Sequence, residues 1–558
     1  MADCPSGPSN GPAVTSLSED PTLPRPLARL IRGTQPIAAP DRGNQDGQLG
    51  LQKGLTDERI ALAERCVWSL VWLGVLTNGI SLWYSWSSWP LIGILAPFLV
   101  VLGIGGIALC WWSQSPRVWY HQVPAMFAVL VSIAAPQTVN IHLRRFYATD
   151  SAAFDHVAGF ILAHGGNPYT SSLPGAEQLL AGAVRFWTYT VNGGHVDHVS
   201  YPAGSFLVDS PAFALGFRHQ VVDWMDLYAW LVVGILFFVL MPRFLRWLPA
   251  LFALTPVYVG IFSSGGTDVV FMPFLLLALW RWDRFGKGAD AGLARWVGPI
   301  ALGLACSIKQ TPWLCVPFLV IGVAIEARRT GASGTRRAMR YLLWVLAVFG
   351  AVNLPFIVWS PASWWRGTLT PLIEPLVADG PGLISLATHG ITGGVNLTLL
   401  AVAAAVAYFA LLAAFVGWYG QLRRTWLFLV PAVFFFAPRS LTGYLVDLLP
   451  AAIVGAVTVG RGDRAATQTA WPPRRLQRST RALVGGLALG ASVSTGLAFI
   501  STPLDLVVKK ASLSRSGQTL ESVTVSVRNE TGAPVSPHFM VDIGYVHPSG
   551  FWLPRGAR

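Results

Sequence analysis

The chain has 558 residues, of which 53% are hydrophobic and 12% charged, and its mean hydropathy is +0.51. Soluble domains carry roughly 25% charged residues, so a soluble globular protein is excluded and a polytopic membrane protein is indicated. The net charge of +13 is spread over short connectors rather than gathered in one basic domain, which argues against nucleic acid as a partner. Cys4, Cys66, Cys110, Cys306 and Cys315 fall mostly in apolar runs or the leader and read as buried or idle thiols, not as a disulfide framework.

Residues 1–60 are rich in Pro, Gly, Ser and Asp and lack an apolar signal-peptide core, so they read as a disordered cytoplasmic leader. Apolar runs then predict an all-α bundle of about 13 spans, at 66–84, 91–112, 119–139, 226–242, 247–263, 267–283, 296–309, 312–326, 341–359, 396–418, 425–437, 441–459 and 483–502. The first two make an extra hairpin (61–118) ahead of a transmembrane module (119–460). A basic loop (461–482), a last span (483–502) and a tail (503–558) follow. The runs 296–309 and 312–326 are short and are expected to be tilted or broken.

Basic residues alternate with span parity. Arg117, Arg243 and Arg246, Arg281 to Arg295, Arg328 to Arg340, Arg423 and Arg424, and the arginines between Arg461 and Arg481 fall in every second connector. The positive-inside rule then puts the N-terminus in the cytoplasm. The loops 140–225 and 360–395 and the tail lie outside the plasma membrane on this reading. Nearly all polar residues able to do chemistry share that outer side: Asp150, Asp155, His195, Asp197, His198, Asp268, Lys309, His389 and Arg439. In the tail, Ser522–Val546 alternates apolar and polar residues around Thr531–Pro534, predicting a hairpin in a small β unit lying on the outer loops.

Asp150 follows the apolar run Val123–Val139 and opens a helical pattern in which Phe154, Val157, Ala158 and Ile161 share one face. Gly165-Gly166-Asn167-Pro168 stops that pattern. The helix is expected to lie at the membrane surface, with the carboxylate at its N-terminal end. A plain N-cap would also place an aspartate there, but ionisable groups beside an intramembrane cavity are usually functional. Asp155 is five residues on, points elsewhere on a solvated face, and is the fallback base.

Lys309 and Gln310, before Pro312, and Arg439 are outward polar groups at span ends and suit a lipid phosphate. Snorkelling or interfacial anchoring is the alternative for both cations. Tyr169, Tyr201, Asp268, His389 and Tyr444 are expected to line the substrate site. His195, Asp197 and His198 are too closely spaced to hold a metal without a further anchored ligand; no metal and no cofactor are expected. No phosphate loop, dinucleotide fingerprint or zinc-protease motif occurs in the setting it needs.

Thr149-Asp150 just past a span, an aromatic four residues on (Phe154), Gly165-x-Asn167-Pro168-Tyr169 and a downstream Tyr201-Pro202 together resemble glycosyltransferase family 87. These are GT-C fold enzymes that include the actinobacterial polyprenol-phosphate-mannose-dependent α-mannosyltransferases. The resemblance covers roughly 119–460 and is clearest at 145–170. It implies a GT-C-like fold with Asp150 as catalytic base. The chain departs from the family at Phe154, where Tyr is usual, at Ala203, where a second Pro is usual, and in its extra hairpin and tail. The expected function is transfer of a sugar, mannose or else arabinose, from a polyprenyl-phosphate donor to a lipid or glycan acceptor outside the cytoplasm. A transporter or lipid flippase without chemistry, and a structural assembly protein, are the competing classes.

Overall fold

The computed structural model describes residues 57–112, 119–173, 175–180, 187–263, 268–287, 292–392, 394–460, 473–500, 504–515, 520–530, 532–540 and 551–552. The leader expected at 1–60 therefore lies almost wholly outside the described residues, as do Cys4 and Arg117. The helices of ten residues or more are α1 Asp57–Trp86, α2 Pro90–Trp112, α3 Trp119–Leu143, α4 Asp150–Ala163, α5 Val221–Leu240, α6 Asp268–Leu279, α7 Ala294–Ile308, α8 Cys315–Arg329, α9 Gly334–Trp359, α10 Pro361–Ile373, α11 Leu397–Gly417, α12 Leu449–Thr458 and α13 Arg474–Ile500. Cys66, Cys110, Cys306 and Cys315 are all free thiols.

Among the described residues eight helices are long and apolar enough to cross a bilayer, which makes this a membrane protein by length and composition. The remaining predicted spans are shorter or broken. Residues 247–263 form two helices, Trp247–Ala253 and Pro256–Ser263, because Pro256 lacks the N–H that would continue the first. Residues 425–437 likewise split into Trp426–Leu429 and Pro431–Phe435, and 441–459 into Thr442–Val446 and α12. Helix α6 has 12 residues and rises only about 18 Å. Its side chains from Val269 to Phe271 and from Leu275 to Leu279 are buried or nearly so; other helices, not lipid, cover it. The run 312–326, expected to be broken, instead belongs to one continuous apolar stretch, Thr311–Arg329.

An ionic knot ties several of these pieces together on the side predicted to be cytoplasmic. Arg423 donates toward Glu326 on α8 at 3.3 Å and toward Asp283 at 3.8 Å. The Tyr419 hydroxyl donates to the same Glu326 at 2.8 Å. All four side chains are buried, where a charge is tolerated only when it is paired.

The loop 140–225 is built into the protein. Helix α4 is wrapped by protein: Phe154 and Ala158 join Tyr147, Tyr169, Leu173, Phe206, Phe356 and Trp364 in a second core. Ala152, Ala153, Ala158 and Gly159 are small enough to let these neighbours close on both sides, which corrects the expectation of an interfacial helix. In the tail, Leu520–Asn529 pairs antiparallel with Leu504–Leu513, and among the described residues it has no strand partner beyond position 531. Leu506 faces Val527 and Val508 faces Val525, good cross-strand pairs. Pro534 and Pro537 would remove ladder donors from the strand that the sequence suggested. The last helix also begins earlier than expected, so Arg474 to Arg481 ride on its first turns.

Close helix contact in the first hairpin depends on glycine. A Cβ on Gly106 would stand 2.1 Å from the Trp72 ring, and one on Gly103 would meet the Leu76 backbone at 2.9 Å. Small residues of this kind let membrane helices approach. Gly106→Leu is expected to destabilise the protein by about 1–3 kcal/mol through overpacking, read as a lower Tm by tryptophan fluorescence in detergent. An unchanged Tm would mean that α1 and α2 do not meet at this point.

Candidate functional site around Asp150

Helix α4 begins because Thr149, extended at φ −128° and ψ 152°, accepts the Ala152 N–H on its hydroxyl at 3.4 Å. The cap is therefore Thr149. Asp150 is left to do something else: its Oδ2 accepts the backbone N–H of Thr188 at 2.6 Å. Thr188 opens a short hairpin in which Val196 N–H donates to Thr188 O and Thr190 N–H to Gly194 O, both at 2.9 Å. The hairpin bonds outward to 375–377 through Val191 N–H to Pro375 O and Val377 N–H to Tyr189 O, both at 2.8 Å. That segment continues into a parallel bridge between Asp379 and Arg439. One ribbon of extended chain thus runs from the Asp150 carboxylate to Arg439. Burial pushes the Asp150 carboxyl above its ordinary range, opposed by the Thr188 bond and the Arg439 guanidinium.

Asp155 is not on a solvated face. It is fully buried, accepts the Ser205 hydroxyl on Oδ1 at 2.9 Å, and has no hydrogen-bond partner for Oδ2. Burial pushes its carboxyl up to about 7 against the Ser205 bond and the Lys309 charge. Asp209 is also buried, with Oδ1 unpartnered and a carboxyl raised by burial and by Asp155. Asp226 and Asp447 are buried with neither oxygen hydrogen-bonded. These three acids were absent from the sequence-based site. The signal that could have found them is an aspartate within or beside an apolar run.

The two cations differ. Lys309 is buried and ion-paired with Asp268, the first residue of α6, and its ammonium lies 5.1 Å from the Tyr201 ring centre and 5.4 Å from that of Tyr444. The lysine expected to bind phosphate thus already has a carboxylate partner in the fold. Arg439 is half-buried, and among the described residues no carboxylate lies within ion-pair distance of it. Gln310 donates its amide to Ser200 O at 2.9 Å and Thr368 O at 2.7 Å, so it pins the loop instead of facing outward. Tyr169 does the same, its hydroxyl donating to Tyr201 O at 2.7 Å. Asn353, inside α9, fixes the neighbouring Ala203 N–H at 3.0 Å.

Tyr201, Tyr444, Asp268, Lys309 and Arg439 gather around Asp150 and Asp155. His389 does not: it stands exposed at the end of the short helix Ser385–Thr388, outside this buried group. His198 is held by Asp197 at 2.9 Å and by the Thr370 hydroxyl at 2.8 Å. Among the described residues no three His, Cys, Asp or Glu side chains come together to hold a metal ion. Beside the cluster lies a small, open apolar cleft of about 170 Å³, lined by residues that include Leu207, Val208, Phe274, Leu304, Ile308 and Val352. It adjoins Ser205 and Lys309 in sequence. Chemically the arrangement offers one buried carboxylate held by a backbone N–H, one guanidinium without an ion-pair partner among the described residues, several carboxyl oxygens without hydrogen-bond partners and an adjoining apolar cleft.

No protein-family model, curated protein or solved structure matches this chain.

Because the Asp155 carboxyl keeps its proton up to about pH 7 in the fold, against an ordinary value of 3.8, ionising it opposes folding. Its effect on stability is least below pH 3.8 and grows until about pH 7. Asp155→Asn can still accept from Ser205 yet never ionises. Its Tm should fall less than that of the parent protein between pH 5 and pH 8, measured in one detergent. Parallel Tm curves would show that Asp155 is ionised throughout.

Proposed function

We propose that this protein is a GT-C-like membrane glycosyltransferase that uses a polyprenyl-phospho-sugar, with mannose as the favoured sugar. The observation that carries the reading is the Asp150–Thr188 bond, with Arg439 at the far end of the same ribbon. A helix cap needs no such arrangement; a base that must be aimed does. With Oδ2 held by Thr188, Oδ1 takes the proton of an acceptor hydroxyl. The acceptor oxygen attacks the anomeric carbon from one face while the bond to phosphate oxygen breaks on the other, inverting the centre. The electron pair leaves with the polyprenyl phosphate, whose charge the Arg439 guanidinium stabilises.

The surrounding charges support a sugar in the middle and phosphate at one side. Asp155, Asp209 and Asp447 have carboxyl oxygens without hydrogen-bond partners, which suits a ligand rich in hydroxyl donors. Arg439, half-buried and with no carboxylate within ion-pair distance among the described residues, is the cation left for the phosphate. In this reading the loops around the cluster face away from the cytoplasm, about 13 helical passes include the short ones, and the acceptor is a lipid or glycan arriving from outside.

Two measurements test this reading. Asp150→Asn should fold normally and lose sugar transfer by a factor of about 10² or more, assayed with radiolabelled polyprenyl-phospho-mannose; near-normal turnover would remove Asp150 as base. Arg439→Ala should cost about 10- to 150-fold in catalytic efficiency toward the donor, the worth of a charged hydrogen bond, and Arg439→Lys should recover only part. Lys309→Ala should instead lower the Tm, since it strips Asp268 of its partner. If lipid moves across the bilayer while no lipid-phospho-sugar is consumed, the flippase reading replaces this one.

Sidedness is tested separately. A cysteine at the exposed position Thr388 should react with an impermeant thiol reagent in intact cells, and one at the exposed position Ser333 should not. The reverse pattern would turn the site to the cytoplasm.

A further inference from the structure

The hairpin that holds Asp150 is gripped from its other end by the C-terminal tail. Tyr189 follows Thr188 and bridges to His195 across the hairpin. Gly193 makes the turn at φ +86°, a left-handed conformation suited to glycine. The His538 imidazole lies directly over that glycine: a Cβ there would stand 2.5 Å from the ring. Both the conformation and the space at residue 193 therefore demand glycine. Phe551 packs edge-on against Tyr189 with ring centres 5.3 Å apart. The two tail residues also hold each other, with rings 5.6 Å apart and the neighbouring Trp552 N–H donating to Phe539 O at 2.8 Å.

We propose that the C-terminal tail is a positioning element for the site, in which His538 and Phe551 clamp the 187–196 hairpin and so keep the Thr188 N–H on the Asp150 carboxylate. This rests on the reading of Asp150 as a catalytic base. A two-stranded hairpin is at best marginally stable in water without something packed against it. The tail supplies that packing on one side, and the 375–377 segment supplies hydrogen bonds on the other. The bond that depends on it is short, at 2.6 Å, and a displacement of about 1 Å would abolish it. The N–H favours the ionised carboxyl, so losing it would raise the pH at which Asp150 becomes a competent base. The His538 ring over Gly193 and the Phe551 ring against Tyr189 are what fix the tail to the hairpin.

The test uses the full chain in lipid nanodiscs. Phe551→Ala should speed amide hydrogen exchange within 187–196 and lower kcat about 10- to 100-fold, the range for a displaced catalytic group. KM for polyprenyl-phospho-mannose should stay unchanged, and the acid limb of the pH–rate profile should move to higher pH. Phe551→Tyr, which keeps the ring, should restore all three readings. His538→Ala, carried in parallel, gives the same readings should Phe551→Ala not fold. Unchanged exchange in 187–196 overturns the clamp, and faster exchange with an unmoved acid limb and kcat overturns its positioning role. Faster exchange in a protein whose parent transfers no sugar supports the clamp and sinks the glycosyltransferase reading alone.

Discussion

Lys309 anchors the charge balance of the half of the protein that contains the site. Its ammonium pairs with Asp268, and Asp447, Asp155 and Asp226 pull on it through space. A carboxylate taken out of water without a counter-charge costs several kcal/mol, even after the protein relaxes around it. The lysine emerges at the end of α7. Asp268 starts α6, Asp447 stands between Thr442–Val446 and α12, and Asp155 projects from α4. One charge thus gathers segments that are too short for a bilayer to hold upright. Tyr201 and Tyr444 flank the ammonium with their ring faces, which adds cation–π attraction and keeps it from reaching water.

That dependence explains what hydropathy reveals and what it hides. The long runs are legible because lipid demands about 20 apolar residues in a row, and eight helices meet that demand. A run such as Asp268–Leu279 has the same composition, yet it is apolar because other helices surround it. Hydropathy cannot tell a lipid-facing leucine from a protein-facing one, so span counting from sequence treats both alike. The breaks at Pro256 and Pro431 are visible in the sequence, but a proline kinks some membrane helices and ends others. Which happens depends on whether a neighbour receives the freed backbone groups.

The site was legible where chemistry and chain position coincide. Asp150 directly follows a span and a capping threonine, and the tyrosines and cations expected near it do gather there. Asp155 was misread because helical spacing from Asp150 says only where a side chain points, not what lies in that direction; Ser205 comes from 50 residues away. Gln310 was misread for a similar reason. A polar group at a span end can face a ligand or pin a loop, and its acceptors, Ser200 O and Thr368 O, are remote in sequence. The tail hairpin was shifted because alternation marks a strand without naming its partner.

Lys309 and Arg439 differ in geometry. Lys309 is enclosed and balanced, so its contribution to a ligand is an electrostatic background, felt by every carboxyl around it. Arg439 is tied to the structure through its backbone, in the bridge to Asp379; its guanidinium is half-buried, and among the described residues no carboxylate lies within ion-pair distance of it. The ribbon that fixes Arg439 also fixes Thr188, and through Thr188 the Asp150 carboxylate. The Asp150 carboxylate and the Arg439 backbone are therefore linked by main-chain hydrogen bonds, whose lengths hardly vary with side-chain rotamer. In a region built from short pieces, that backbone link ties the Arg439 main chain to the residue that holds the Asp150 carboxylate.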